Sequence, residues 1–331
     1  MAFAERWQIP VATTLNGKDS IPGVHPLSLG VVGTYSRASA NRIVSEADLV
    51  IYVGSETGGM TTHFWQVPAF GADTIQIDID PESIGRNYPP LVGINADARE
   101  TLTRMLELTE DPPGHAAWAE RARSAVAECY DEYAGLMGSD AEPIRPERMC
   151  ADLSDVVPDD GIVVVDTGHA GMWMGGFYDL RTPQQSYMRS AGHLGWAFPA
   201  SLGAKCGAPD RPVVCFTGDS GFWYHVGDIE TAVRFGINTV TVVNNNRSGN
   251  QSMRGFDRAY GGKQTEQARE LWVFTDVDFS KVAEDMGAIG IRVEKPSDFK
   301  PAMERALEAD RPVIVDVVTD IEAVAPAAWS P

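Results

Sequence analysis

The sequence predicts an α/β protein made of two doubly wound parallel-sheet domains, on three observations. Short β-branched runs alternate with helically patterned stretches, the pattern of parallel βα units. The length, 331 residues, exceeds one ordinary domain and suffices for two. A charged, continuously helical pattern in the middle separates two such series.

In the first series, residues 11–14 are predicted as a strand, 39–47 as a helix, 49–53 as a buried strand ending in Gly54, and 74–79 as a further strand. From 98 to about 138 the pattern turns helical, broken once at Asp111-Pro112-Pro113-Gly114, and Glu142-Pro143-Ile144-Arg145-Pro146 is a second punctuation. These signals divide the chain into a first domain at 1–110, whose start is abrupt, a helical linker at 111–145 and a second domain at 146–331. In the second series, apolar runs at 161–166, 211–217, 238–243 and 311–318 predict four buried strands. Between the second and third, Val226, Ile229, Ala232 and Val233 recur at helical spacing, and Gly236 supplies a stop.

Composition excludes several classes. The balance of 27 Lys and Arg against 46 Asp and Glu gives a net charge of −19, which argues against a nucleic-acid binder, because that affinity rests on basic side chains displacing counterions. Any anionic ligand therefore needs a local device. No apolar run approaches the ~18 residues that cross a membrane, so no membrane association is expected. Cys129, Cys150, Cys206 and Cys215 lie far apart, without CxxC or His spacing suited to zinc, which argues against disulfides and thiolate metal sites. The first residues lack a charged segment followed by an apolar one, so a cytoplasmic location is expected.

The chemistry concentrates in one βαβ unit. A right-handed crossover brings the C-terminal ends of its strands to one sheet edge, where open α/β folds bind ligands. One end delivers Gly218-Asp219-Ser220-Gly221 and the other Asn244-Asn245-Asn246-Arg247-Ser248-Gly249, so that a carboxylate and a carboxamide 27 positions apart can meet. Oxygen donors of this kind suit Mg²⁺ or Ca²⁺, and Mg²⁺ commonly completes its shell with phosphates and water. Gly218 and Gly221 admit close backbone approach, and the following helix N-terminus adds amides and a positive dipole end. Thr167-Gly168-His169 and the glycine-rich turn Arg189-Ser190-Ala191-Gly192-His193-Leu194-Gly195 reach the same edge, the latter before a helix at 199–207.

Taken singly, Asp219 reads as a helix cap, the asparagines as turn residues, His169 and His193 as hydrogen-bonded structural histidines, and Met172, Trp173 and Met174 as packing. The joint spacing is what points to a cofactor. The same Gly-Asp-Ser-Gly string surrounds the nucleophile of trypsin-like proteases, which makes Ser220 a remote hydrolase candidate, but those enzymes are disulfide-bonded all-β proteins. A GxGxxG dinucleotide fingerprint is absent, since Gly54-Ser55-Glu56-Thr57-Gly58-Gly59 has different spacing.

The segment from Gly218-Asp219 to Asn244-Asn245-Asn246 resembles the thiamin diphosphate motif, and the wider chain resembles the acetolactate synthase-like group of thiamin diphosphate enzymes. Pro10-Val11-Ala12-Thr13-Thr14, His25-Pro26-Leu27, Gly30-Val31-Val32-Gly33 and Ile77-Asp78-Ile79-Asp80-Pro81-Glu82 resemble that group's middle domain, and Ser190 to Pro199 its diphosphate-domain turn. The resemblance implies a middle domain followed by a diphosphate-binding domain of the thiamin diphosphate-binding fold. It implies thiamin diphosphate and Mg²⁺ as cofactors, with Asp219, the Asn246 side chain and the Ser248 carbonyl as metal ligands. Gly218, Ser220, Gly221 and Gly249 would lie along the diphosphate, with Gly168, His169 and His193 approaching from neighbouring loops. The Gly192 carbonyl would accept from the cofactor's 4′-amino group, and Leu194 would be the apolar wedge that bends the cofactor. Residues 249–272 would form a lid.

The implied chemistry is ylide attack on a small 2-oxo acid, loss of CO₂, then acyl transfer to a second carbonyl or release of an aldehyde. Three departures accompany it. His169-Ala170 stands where the family often has Gln-His, Leu194 replaces a common Met, and 54–62 does not resemble the flavin-binding stretch, so FAD is not expected. The family's activating glutamate belongs to a pyrimidine-binding domain that would precede residue 1, and no glutamate here takes that role. The expectation is a separate pyrimidine-domain subunit in a heterotetramer. The alternative is a non-catalytic binding or regulatory relative.

Overall fold

A computed structural model describes residues 1–109, 114–190 and 192–331, so the break expected at Asp111-Pro112-Pro113 and the Ala191 of the glycine-rich turn lie outside the described residues. The chain divides into two compact units, 1–133 with 327–331, and 134–326. That division falls inside a helix, within the expected linker, and the last five residues return to the first unit.

The first unit comprises α1 (Ala2–Trp7), β1 (Val11–Thr13), β2 (Ser28–Val31), α2 (Ala38–Glu46), β3 (Val50–Val53), β4 (Thr74–Asp78), β5 (Val92–Asn95), α3 (Ala98–Leu108) and most of α4 (Ala116–Met137). Every strand pairing is parallel, in a two-stranded ladder β1-β2 and a three-stranded one β3-β4-β5. The strands expected at 11–14, 49–53 and 74–79 and the helix at 39–47 are present, but the strand at 49–53 is not buried as expected: it lies at the edge of its ladder, with Leu49 40 % and Val53 39 % exposed. β2 and β5 are not legible in the sequence because each is four residues long and interrupted by glycine, Gly30 and Gly93. Leu29, Ala40 and Ile43 pack against Ala122 and Ala125 of α4, where small side chains let the helix approach closely. Asn41 ties the returning tail down by donating to the Trp329 carbonyl at 2.8 Å.

The second unit runs α5 (Pro146–Val156), β6 (Ile162–Val165), α6 (His169–Phe177), β7 (Ser186–Arg189), α7 (Ala197–Gly207), β8 (Val213–Gly218), α8 (Asp219–Trp223), α9 (Asp228–Phe235), β9 (Val240–Asn245), α10 (Met253–Ala259), α11 (Glu266–Glu270), α12 (Phe279–Asp285), β10 (Ile289–Val293), α13 (Pro296–Leu307) and β11 (Val313–Val318). Its six strands form one parallel sheet in the order β10-β11-β9-β8-β6-β7. The four apolar runs of the sequence are its four central strands. They read as unbroken apolar runs because both faces are covered. On one face Phe198, Leu202, Ile229, Phe279 and Ala283 of α7, α9 and α12 pack on Ile162, Val164, Cys215 and Val243. On the other, α5, α6 and α13 pack together and against the strands. The edge strands β7 and β10 escaped the sequence reading, being short and interrupted by polar or glycine residues.

Gly236 ends α9 in the left-handed conformation, φ 63°, as its place in the pattern predicts. The chain leaves β6 toward β7 on one side and β8 toward β9 on the other. The gap between the C-terminal ends of β6 and β8 is therefore the switch point of this sheet, where open α/β sheets hold ligands.

Candidate cofactor site

Asp219 is the first residue of α8, immediately after β8, and only 2 % exposed. Its Oδ1 accepts from the Ser220 N–H at 2.6 Å and its Oδ2 from the Ser248 N–H at 2.9 Å. Asn246, also buried, turns its Oδ1 to the same Ser248 N–H at 3.1 Å and to the Ser248 hydroxyl at 3.0 Å. The carboxylate and the carboxamide thus converge on one donor. Arg247 makes this possible by adopting φ 59° between them.

The neighbouring asparagines do different work. The Asn244 Oδ1 accepts from the Thr319 hydroxyl at 2.6 Å, and the Asn245 Nδ2 donates to Asp316 Oδ1 at 2.9 Å and to the Val277 carbonyl at 3.0 Å. Both fasten β9 into the fold, which leaves Asn246 as the one at the edge. The loop is held from its far side as well, since the Gly249 N–H donates to the Trp272 carbonyl and the Phe274 N–H to the Arg247 carbonyl, each at 2.7 Å. Between those anchors, residues 249–272 form a 3₁₀ turn, α10 and α11, with the Trp272 indole donating to Gln264 at 2.7 Å.

The other two loops meet this one through Asp166, which follows β6. Its Oδ2 accepts from the Gly195 N–H at 2.9 Å and the Thr217 hydroxyl at 2.8 Å, and its Oδ1 from Gly195 at 3.1 Å and Thr167 at 2.8 Å. Gly195 has φ 81°, and a β-carbon there would lie 2.8 Å from Tyr224 Cβ and 2.9 Å from the Gly221 carbonyl, so only glycine fits. In the same turn Gly192, His193 and Leu194 are exposed, Leu194 at 43 %. Gly168 begins α6 with φ 74°, and a β-carbon on it would be 3.7 Å from Leu194 Cδ2, which sets the Gly168 loop beside the wedge candidate. The His169 Nδ1 lies 2.6 Å from Asn250 Oδ1. Asn250 in turn donates to the Ala323 carbonyl at 2.8 Å, so His169 is held by the loop after Asn246.

The sequence reading therefore names residues that the fold brings to one edge: Gly168, His169, the turn 192–194, 218–221, Asn246, Ser248 and Gly249. It passes over Asp166 and Asn250. An aspartate ending a buried strand and preceding Thr-Gly was the available signal for the first; the second had none, since its partners are set by tertiary contacts.

The donor set fits a hard cation and a diphosphate. Burial pushes the Asp219 carboxyl up to about 7, because the backbone N–H groups that reach it only partly offset its lost hydration. A cation beside it would restore that charge balance. A β-carbon at Gly192 or Gly218 would meet nothing within 4 Å, which leaves open space over the backbone there. Among the described residues no group of three or more His, Cys, Asp or Glu side chains is arranged around a metal position; the candidate set has a single carboxylate, completed by amide and carbonyl oxygens. A cleft of about 540 Å³ opens elsewhere, lined by Val213 and Val240 at the N-terminal ends of β8 and β9, away from these residues.

Residues 166–317 match the family model described as thiamine pyrophosphate enzyme, C-terminal TPP binding domain, and residues 1–105 match the thiamine pyrophosphate enzyme central domain. The chain belongs to the thiamine pyrophosphate enzymes. The relatives it matches include acetolactate synthase large subunits, the group that its motifs resemble. It is 31 % identical to the probable acetolactate synthase large subunit of Methanocaldococcus jannaschii, over 97 % of this chain and 54 % of that protein. It is 32 % identical to the acetolactate synthase large subunit of Corynebacterium glutamicum, over 97 % and 52 % respectively. A putative thiamine pyrophosphate-containing protein of Bacillus subtilis, YdaP, is 29 % identical over 96 % of this chain and 54 % of its own length. The chain spans about half the length of the curated relatives it matches. Among the described residues no helix is long and apolar enough to cross a membrane.

Proposed function

We propose that the second unit binds thiamin diphosphate through Mg²⁺, with Asp219, the Asn246 carboxamide and the Ser248 carbonyl as the protein ligands. Ser220, Gly221 and the N-terminus of α8 hold the diphosphate, with Gly218, Gly249, Gly168 and His169 along it. The Gly192 carbonyl accepts a hydrogen bond from the cofactor's amino group, while His193 and Leu194 flank its organic part and Leu194 sets its bend. When bound, the cofactor supplies a carbon nucleophile and an electron sink for decarboxylating a 2-oxo acid. The chain's own contribution is to hold the diphosphate by backbone amides and the cation by oxygen donors, orient the ring and exclude water, with 249–272 acting as the lid.

The reaction class this would serve is transfer of the acyl unit to a second carbonyl or its release as an aldehyde. The activating glutamate comes from a pyrimidine-binding domain on a separate subunit, in a heterotetramer. The observation that carries this reading is the convergence of Asp219 and Asn246 on the Ser248 N–H at the sheet's switch point. The Gly-Asp-Ser-Gly string lies between β8 and α8 of a parallel sheet rather than in the all-β frame of trypsin-like proteases, which favours the cofactor reading over Ser220 as a nucleophile.

Calorimetry of the purified chain tests the reading. Mg²⁺-dependent binding of thiamin diphosphate is expected, with 2-oxo acid turnover only after a pyrimidine-domain chain is added. Absence of binding would overturn the cofactor reading. Full turnover by this chain alone would overturn the separate subunit.

A further inference from the structure

The carboxylate of Asp166 is buried at the switch point and joins three separate loops. Its own loop leads to Gly168 and His169. Its two oxygens share the Gly195 N–H, at 2.9 and 3.1 Å, which closes the turn bearing Gly192 and Leu194. It accepts from Thr217, the residue before Gly218-Asp219, at 2.8 Å. Gly221 packs so tightly on it that a β-carbon there would lie 2.3 Å from Oδ2. None of its contacts is with a residue placed on the cofactor by its side chain. Its hydrogen bonds are all accepted ones, and one carboxylate satisfies donors from three segments.

We infer that Asp166 is the positioning residue that sets the Gly192–Leu194 turn against the diphosphate loop, and so fixes where the organic half of the cofactor lies relative to its anchored diphosphate. The inference rests on the thiamin diphosphate reading above. Asparagine has the same shape as aspartate but cannot replace it. One orientation sets Nδ2 against the Gly195 N–H that Oδ2 accepts at 2.9 Å, and the other sets it against the Thr167 N–H at 2.8 Å and the Gly195 N–H at 3.1 Å, so that a donor faces a donor either way. The turn should then be displaced while the cation ligands stay in place.

Wild type and Asp166→Asn, as the full chain, are titrated calorimetrically with thiamin diphosphate plus Mg²⁺ and with inorganic diphosphate plus Mg²⁺. Substitution is expected to weaken thiamin diphosphate by about tenfold, the worth of one hydrogen bond to a charged acceptor, and diphosphate by less than about threefold. Equal losses for both ligands, or none, would overturn the positioning role while leaving the cofactor reading intact. Failure of wild type to bind either ligand would overturn the cofactor reading itself, and this inference with it. Amide exchange at Gly195 in wild type needs no variant: it should slow with thiamin diphosphate and not with diphosphate. Exchange unchanged by thiamin diphosphate would also overturn the role.

Discussion

The carboxylate of Asp219 accepts the backbone N–H of Ser248 at 2.9 Å, across a helical crossover and 29 positions of sequence. The bond fixes the two halves of the Gly-Asp and Asn-Asn pattern to each other before any ligand is present. It also leaves a buried carboxylate whose lost hydration the backbone N–H groups of Ser220, Arg247 and Ser248 only partly offset, which is the imbalance a divalent cation would relieve.

Asp219→Asn keeps the volume and removes the charge. Mg²⁺-dependent binding of thiamin diphosphate should weaken at least about 100-fold, as expected for loss of a ligand rather than of an outer partner. Calorimetry at fixed pH measures it, and retention of wild-type affinity would count against Asp219 as a ligand.

The same carboxyl gives the metal-free protein a pH signature. Its folded pKa of about 7 lies above the unfolded value of 3.8, so between those values the folded state holds the extra proton. Stability contributed by this group therefore falls as pH rises from about 4 to 7, by at most about 1.4 kcal/mol per unit, and is level above that. Thermal melts in chelator should show a component that Asp219→Asn removes, and Mg²⁺ should stabilise the wild type most at the high end.

Neighbouring asparagines should separate binding from folding. Asn245→Ala strips a donor from buried Asp316 and from the Val277 carbonyl, and should cost roughly 1–3 kcal/mol in denaturant unfolding. Asn246→Ala should cost less, because the Ser248 N–H keeps Asp219 as an acceptor and only the Ser248 hydroxyl loses its partner, and it should lower cation affinity. The reverse ranking would mean that the wrong asparagine has been placed at the metal.

Gly195→Ala places a β-carbon on a residue with φ 81° and within 2.8 Å of Tyr224 Cβ. Strain and overpacking together should cost roughly 2–5 kcal/mol. Equilibrium unfolding of the second unit measures it, and a near-neutral result would show that the turn relaxes freely.

Much of the fold was legible because its elements are local patterns. Central strands of a parallel sheet must be apolar on both faces, so β6, β8, β9 and β11 appear as continuous runs, and Gly236 marks a helix end by a conformation that glycine adopts without strain. Edge strands carry no such demand, which is why β7 and β10 were missed. β2 and β5 are missing for the related reason that glycine breaks their short runs.

By itself the sequence determined the α/β class, the βαβ unit, the family and the residues that gather at one sheet edge, since each depends on residue type and spacing along the chain. Only the tertiary structure decided what Asn244 and Asn245 fasten, where the compact units divide, and that Asp166 ties three loops together. Those outcomes depend on which donors and acceptors remain unpaired once the sheet has closed. A buried polar group must find a partner wherever the fold supplies one, and spacing along the chain does not say where that is.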